Sequence, residues 1–200
     1  MTGSDPITLI RRALSEPGGA SSDFDLNPGT ILPQGRALTP AAVLVAVQAT
    51  PQGGELILTK RSSRLKHHPG QIAFPGGKQD EGDDGPIAAA LREAREEIGL
   101  PESHVEILGT LPAHETVTGF TVTPVLAHVT APFAPLPEAG EVDEVFTVPF
   151  EHVTNPAQFI VQWRYWRRQR RYYYTVPYGP YYIWGATARI LRGLAGRIAA

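Results

Sequence analysis

Apolar and polar positions alternate along the chain in a way that predicts several short strands. Runs of small and β-branched apolar residues, bounded by turn-forming residues, are typical of strands. Five such runs cover residues 41–49, 55–61, 105–111, 120–130 and 144–150. The sequence Thr-Pro-Gln-Gly-Gly separates the first two runs and indicates a hairpin. Residues 172–184 predict a further hairpin that turns between Pro177 and Pro180, with Trp184 in the core.

Apolar residues recur at helical spacing near both ends of the chain. Asp5 followed by Pro6 predicts the start of a short amphipathic helix with the sequence ITLIRRAL. A closing helix is predicted after Gly185. Its apolar stripe consists of Ile190, Leu191, Leu194 and Ile198.

A third predicted helix lies in the middle of the chain. Asp84 or Gly85 is its expected cap, and Pro86 is its first helical residue. Gly99 stands where a left-handed residue would end the helix. Helical periodicity predicts that one stripe is buried, formed by Ile87, Ala90, Leu91, Ala94 and Ile98.

The order of these elements indicates the fold class. Strands surround a central helix and a closing helix without regular β-α-β alternation, which favours an α+β sandwich with a mixed sheet over a Rossmann-type sheet. Residues 16–35 are rich in Gly, Pro, Ser and Asp and lack an apolar period, so they predict a flexible connector. We therefore expect an N-terminal helix and connector at residues 1–35 and one domain at residues 36–200.

Composition narrows the class of protein. The chain is 42% hydrophobic and 19% charged, as is typical of globular proteins. Its net charge of −2 argues against nucleic acid or a membrane surface as a partner, and the absence of cysteine excludes disulfides and thiol nucleophiles. No apolar run reaches the roughly 18 residues of a membrane span, and the first residues do not resemble a secretory signal. A cytoplasmic enzyme is the default expectation.

Three glutamates occupy five positions of the central helix. On a helix Glu93 faces both Glu96 and Glu97, and each such like-charge pair costs a few tenths of a kcal/mol. Either Arg92 in a solvated network or a bound divalent cation would offset this repulsion, and the helix alone leaves both open. The glycine-rich loop just upstream favours the cation, because a loop carbonyl and carboxylates provide the oxygen ligands that Mg²⁺ prefers.

At this point a family resemblance appears. Residues 76–100, GGKQDEGDDGPIAAALREAREEIGL, resemble the Nudix box, whose core Arg-Glu-x-x-Glu-Glu-x-Gly is matched by residues 92–99. The box is one residue longer than usual, and Asp83 or Asp84 replaces its spaced glutamate, as in the coenzyme A pyrophosphatase branch. Residues 57–77 are similar to the signature that precedes the box in that branch, with Lys66 where arginine is usual. The similarity extends over residues 40–195.

The resemblance implies a Nudix-type α/β/α sandwich that hydrolyses the pyrophosphate bond of coenzyme A and its thioesters. The expected products are 3′,5′-ADP and (acyl-)4′-phosphopantetheine, and the expected cofactor is Mg²⁺ or Mn²⁺. The implied metal ligands are Glu93, Glu96, Glu97 and a carbonyl at Gly77. Arg92 would hold Glu96 in place, and Glu141 or Glu144 would be a further ligand or the general base, with Glu141 aligning better. Substrate contacts are expected from Lys60, Arg61, Lys66, His68, Phe74, Gly76 and Gly77.

Two other functions remain open. One is a Nudix hydrolase of another nucleoside diphosphate derivative, such as ADP-ribose or NADH, and the other is a non-catalytic Nudix-fold binding module. Residues 163–174, WRYWRRQRRYYY, mix five arginines with aromatic residues. Such a segment suits RNA, an adenine nucleotide with an extra phosphate, or simply a solvated edge hairpin. The complete acid set argues for catalysis on a small nucleotide, and the sequence leaves a homodimer open.

Overall fold

A computed structural model describes residues 5–32, 35–166 and 169–200. Residues 1–4, 33 and 34 of the predicted N-terminal segment lie outside the described residues. So do residues 167 and 168 of the arginine-rich segment.

Helices and strands follow one another in the described residues as a mixed α+β chain. The helices are α1 (Pro6–Ser15), α2 (Gly85–Ile98), α3 (Phe150–Thr154) and α4 (Gly185–Ala199), with 3₁₀ turns at Glu102–His104 and Pro156–Gln158. The strands are β1 (Ser21–Ser22), β2 (Thr39–Thr50), β3 (Gly53–Arg61), β4 (Ile72–Ala73), β5 (Gly76–Lys78), β6 (Val105–Thr110), β7 (His114–Glu115), β8 (Phe120–Val129), β9 (Val142–Pro149), β10 (Ile160–Trp166) and β11 (Gln169–Thr175). Each of the five predicted apolar runs forms a strand.

Strand β2 lies at the centre of one mixed sheet. It pairs in parallel with β8 and antiparallel with β3 and β5. Beyond β3 the sheet continues to β4 and β9, and beyond β8 it continues to β6 and β7, with β1 pairing in parallel with β7. Strands β10 and β11 form a separate antiparallel hairpin. The predicted α+β class with a mixed sheet is confirmed.

Helices cover both faces of the sheet because successive strand residues point to opposite sides. On one face Leu44 and its neighbours pack against α2. On the other face Val45 and Val47 belong to a core shared with α1, α3 and α4. The predicted α/β/α sandwich is therefore observed, and the acid-bearing helix α2 occupies one of its outer layers.

The borders of two helices agree with the sequence prediction. Helix α1 follows Asp5, whose carboxylate accepts a hydrogen bond of 2.9 Å from the Thr8 N–H. Helix α2 ends at Gly99, which adopts a φ of 70° and returns its N–H to the last turn. The predicted stripe of α2 was wrong at Ile87, which is 38% exposed. The face that packs against the sheet consists of Ala89, Ala90, Ala94 and Ile98, and Ile87 lies outside it.

The predicted hairpin at residues 172–184 is observed only in part: the chain folds back between Tyr178 and Tyr181, and antiparallel bridges join Thr175 to Trp184 and Tyr178 to Tyr181. Residues 172–175 instead belong to β11 and pair with β10. Prolines cannot donate a ladder hydrogen bond, and the segment with Pro177 and Pro180 keeps only isolated bridges. Ile183 is fully buried, whereas Trp184 is only half-buried.

The N-terminal residues lie against the sandwich in the described part of the chain. Ile10 and Ala13 of α1 are fully buried in the core shared with α4. The domain boundary between residues 35 and 36 stays a prediction. No helix within the described residues combines the length and the apolar character needed to cross a membrane.

Candidate active site

The loop before α2 brings its backbone against the carboxylates of the helix. The N–H of Gly76 donates to Glu97 Oε2 at 3.1 Å. A Cβ on Gly76 would lie 2.4 Å from the carbonyl oxygen of Ala42, and a Cβ on Gly77 would lie 2.5 Å from Glu93 Oε1. Gly76 must be glycine because its clash would be with backbone, whereas a Cβ on Gly77 would displace the Glu93 carboxylate.

Two of the three crowded glutamates are shielded from water. Glu97 is 6% exposed, and burial raises its pKa to about 7, against the hydrogen bond from Gly76. Burial also raises the pKa of Glu93, although Arg92 opposes the shift. The charge of Glu93 further raises the pKa of Glu97. Only Glu96 is well exposed, with a side-chain exposure of 52%.

Arg92 holds this acid cluster together. Its guanidinium donates to both carboxylate oxygens of Asp83 at 2.9 Å, which is the bidentate geometry of strong charge-assisted pairs. The same group donates to Glu93 Oε1 at 2.9 Å and to Glu96 Oε2 at 3.1 Å. Of the two aspartates that the sequence left open, Asp83 is thus the partner of Arg92, and Asp84 is the N-cap of α2.

Glu141 lies beside the acid cluster. The N–H of Glu138 donates to the carbonyl of Glu97 at 2.9 Å, and the N–H of Ser62 donates to the carbonyl of Glu141 at 2.8 Å. These bonds hold the loop before β9 against the end of α2. Burial is the largest cause of the raised pKa of Glu93 and Glu97, and the Glu141 charge makes a smaller contribution to both. This contribution indicates that Glu141 lies close to the two glutamates.

Glu144, the alternative to Glu141, points to a different place. Its Oε1 accepts a hydrogen bond of 2.6 Å from the hydroxyl of Tyr181. It lines a second cavity of about 570 Å³ together with Lys60, one of the predicted substrate contacts. Because Glu141 and Glu144 are only three residues apart, the sequence alone does not show that their side chains lie in different environments.

A cleft of about 780 Å³ opens between the box loop and the β10–β11 hairpin. Five of the seven predicted substrate contacts line it, namely Arg61, His68, Phe74, Gly76 and Gly77. Lys66 is exposed and lies outside the lining of this cleft. Burial, followed by the charge of Arg61, lowers the pKa of His68, which favours its neutral form.

The far wall of the cleft combines aromatic rings with arginines. The Arg164 guanidinium lies 4.5 Å from the ring centroid of Trp184 and 6.0 Å from that of Tyr173, within cation–π range. Asp23 and Leu26 of the connector also line the cleft. The sequence pattern does not predict these contacts of the connector, because a polar segment without an apolar period carries no signal of its tertiary contacts.

The acid cluster is compatible with a divalent cation in its donor chemistry. Carboxylates and a loop carbonyl are hard oxygen donors of the kind that Mg²⁺ and Mn²⁺ accept. Burial makes Glu93 and Glu97 unfavourable as bare anions, so a cation beside them would stabilise their charged forms. Within the described residues, no set of three or more His, Cys, Asp or Glu side chains is already gathered around one point as a metal site.

The chain is similar in sequence and in fold to known proteins. Residues 38–174 match the NUDIX domain family. The protein named Uncharacterized Nudix hydrolase NudL of Escherichia coli strain K12 is 41% identical over 158 residues, which are 79% of this chain and 82% of that protein. The protein of the same name from Shigella boydii serotype 4 gives the same values. A MutT/nudix family protein from Enterococcus faecalis has the same fold, with a TM-score of 0.51 over 88% of this chain and 68% of that chain at 14% identity.

Proposed function

The chain belongs to the Nudix family and is a Nudix hydrolase, and on that premise we propose that it is a coenzyme A pyrophosphatase. It hydrolyses the pyrophosphate bond of coenzyme A and its thioesters to 3′,5′-ADP and (acyl-)4′-phosphopantetheine. One observation carries this proposal. The signature of residues 57–77, which resembles that of the coenzyme A branch, contributes Arg61 and Phe74 to the same cleft as the box loop. No side chain of α2, a helix that the structure describes in full, lines this cleft, but Gly76 and Gly77 of the box loop lie against Glu97 and Glu93, so a substrate held by the signature would lie next to the acid cluster.

The proposed metal ligands lie on α2 and on the loop before it. They are Glu93, Glu96, Glu97 and the carbonyl of Gly77. A bound Mg²⁺ or Mn²⁺ supplies neutralisation of the diphosphate charge and activation of water. Arg92 orients Glu93 and Glu96 through its hydrogen bonds, as residues behind metal ligands commonly do.

Glu141 is the proposed general base. Its side chain is exposed and lies near the acid cluster, so it can accept a proton from the attacking water and release it to solvent. Arg61 lines the cleft, and its charge lowers the Glu97 pKa, against the larger effect of burial. From this position its guanidinium would donate charge-assisted hydrogen bonds to phosphate oxygens.

The far wall of the cleft suits the nucleotide end of coenzyme A. Trp184 and Tyr173 offer aromatic surface for an adenine ring, and Arg164 offers positive charge for the additional 3′-phosphate. ADP-ribose and NADH share the adenine ring and the diphosphate with coenzyme A but lack the 3′-phosphate. The proposed substrate uses both the aromatic and the cationic component of this wall.

A product assay tests the proposed function. Purified protein with Mg²⁺ or Mn²⁺ is incubated separately with coenzyme A, ADP-ribose and NADH, and the products are identified by mass spectrometry. We expect 3′,5′-ADP and 4′-phosphopantetheine from coenzyme A, at the highest kcat/KM of the three substrates. Rapid turnover of ADP-ribose or NADH without cleavage of coenzyme A would instead assign another nucleoside diphosphate substrate. Binding without any turnover would assign a non-catalytic module.

A further inference from the structure

Lys60 and Arg61 are neighbours in β3 but serve different cavities. Arg61 lines the cleft of about 780 Å³, whereas Lys60 lines the second cavity of about 570 Å³. Successive strand residues point to opposite sides, and the register with β9 also shifts between these two residues. A single ligand that contacts both residues must therefore extend from the cleft into the second cavity.

The two cavities adjoin along a shared rim. His68, Gln71, Arg164 and Trp184 line both of them. His68 adopts a φ of 55°, a left-handed conformation that is uncommon outside glycine and that often accompanies a functional site. The rim thus includes a strained residue and a stacked arginine–tryptophan pair, and a ligand can pass over it from one cavity to the other.

The second cavity places a cation and an anion side by side. Lys60 and Glu144 are paired across β3 and β9, so their side chains leave the same face of the sheet. Tyr181 donates to Glu144 at 2.6 Å, which leaves the other carboxylate oxygen available to a donor. The Lys60 ammonium has no hydrogen-bond or ion-pair partner among the residues that the structure describes. Arg164 adds a further positive charge at the rim, whereas Glu144 places a negative charge inside the cavity, so the cavity can both donate to and accept from a ligand.

Aromatic and proline side chains form the rest of the wall. The Tyr181 ring stacks on Phe146 with centroids 3.6 Å apart, which fixes the position of the Tyr181 hydroxyl. Pro180 and Tyr182 also line this cavity. Such surfaces pack against methylene groups. The volume lies within the roughly 300–1,000 Å³ of small-molecule sites.

We propose that the second cavity is a subsite for an uncharged, amide-bearing arm attached to the diphosphate, with Lys60 donating to an amide carbonyl and Glu144 accepting from an amide N–H. This inference rests on the proposed function, because pantetheine is the arm of this chemistry in coenzyme A. It also gives Glu144 a role in substrate recognition that is distinct from the general base.

Kinetics on two substrates test the subsite. Lys60→Met keeps the side-chain stem and removes the donor. We expect it to lower the ratio of kcat/KM for coenzyme A to that for ADP-ribose by about tenfold, through KM, as loss of a charged hydrogen bond does. Arg64→Met is the matched control, because Arg64 is exposed on the same segment and lines neither cavity. An unchanged ratio in Lys60→Met would overturn the proposal.

A binding measurement separates the subsite from the proposed function. Pantetheine, which has neither phosphate nor nucleotide, is titrated into the full-length protein by calorimetry or NMR. We expect Lys60→Met to weaken its binding by at least about fivefold, and Glu144→Gln to weaken it as well should Lys60→Met fail to fold. Lys60-dependent binding without hydrolysis of coenzyme A would overturn only the proposed function. Hydrolysis of coenzyme A without Lys60-dependent binding of pantetheine would overturn only the subsite.

Discussion

Among single residues, Glu97 has the most demanding environment. It is a carboxylate with 6% exposure that accepts one backbone hydrogen bond, and Glu93 and Glu141 add negative charge nearby. A buried acid that served only stability would be replaced with little loss by an apolar side chain. The same environment becomes favourable once a divalent cation shares it, which supports the proposed role of Glu97 as a metal ligand.

Glu97→Gln and Glu93→Gln keep the side-chain shape and remove the charge. We expect each to lower kcat by at least about 100-fold, as loss of a group acting in metal catalysis does, while the protein stays folded. Circular dichroism and thermal unfolding check the fold, and coenzyme A hydrolysis checks kcat. Retained activity in both variants would remove the assignment of the site.

Arg92 is expected to act through the metal ligands. Arg92→Lys keeps the positive charge but removes the planar guanidinium. That group donates to both carboxylate oxygens of Asp83 and also to Glu93 and Glu96. We expect the Mg²⁺ concentration for half-maximal activity to rise by about 10- to 100-fold, with a smaller change at saturating metal. Arg95→Lys is the control, because Arg95 lies on the same helix and pairs with Glu102 at 3.0 Å. An equal rise in both variants would contradict the assigned role.

Among the elements, the connector between α1 and β2 contributes more than a link. Asn27 bonds both the backbone N–H and the backbone carbonyl of Tyr172, each at 2.9 Å. Asp23 accepts from the Val117 N–H at 2.9 Å and pairs with the buried His114. This segment thereby ties the β10–β11 hairpin to the sheet and completes the wall of the cleft.

Asp23 is expected to make stability depend on pH. Burial alone would raise its pKa, but hydrogen bonds from His114 and Val117 outweigh burial, and the pKa is lowered. Stabilisation by a lowered carboxyl pKa is present above the ordinary value of about 3.9 and is lost as the pH falls through the folded-state value. We expect Asp23→Asn to cost about 1–3 kcal/mol in urea unfolding at pH 7. The difference from the wild type should shrink near pH 3, and an equal difference at both pH values would contradict this account.

The contact between the box loop and α2 leads to another prediction. Gly77→Ala places a methyl group where it would overlap the Glu93 carboxylate and displace it. We expect kcat to fall by at least about tenfold, because a small misplacement of a catalytic group is costly. Gly82→Ala is the matched control, since a Cβ there meets open space and the residue lies in the same loop. Similar kcat values for both variants would show that the loop does not position Glu93.

For the whole molecule, the sequence predicts local features well and distant contacts poorly. The strand at residues 55–61 and the end of α2 at Gly99 follow from patterns within a few residues, and both are observed. Trp184 was predicted to lie in the core, but it lines the cleft. A segment rich in aromatic residues does not show which of its rings other elements will cover. The sequence also does not predict that Lys60 and Arg61 line different cavities. The walls of the second cavity come from β9, β10 and the segment after β11, which are distant from Lys60 in the sequence.

We propose that divalent ions bound by the crowded glutamates of α2 hold a diphosphate in the cleft. A crystal structure with Mn²⁺ and a non-hydrolysable coenzyme A analogue, with anomalous scattering to locate the metal, tests it directly. We predict Mn²⁺ in contact with Glu93, Glu96 and Glu97, and the diphosphate between the metal and Arg61. Manganese elsewhere, with Glu93 and Glu96 still paired only to Arg92 and the analogue outside the cleft, would contradict the account.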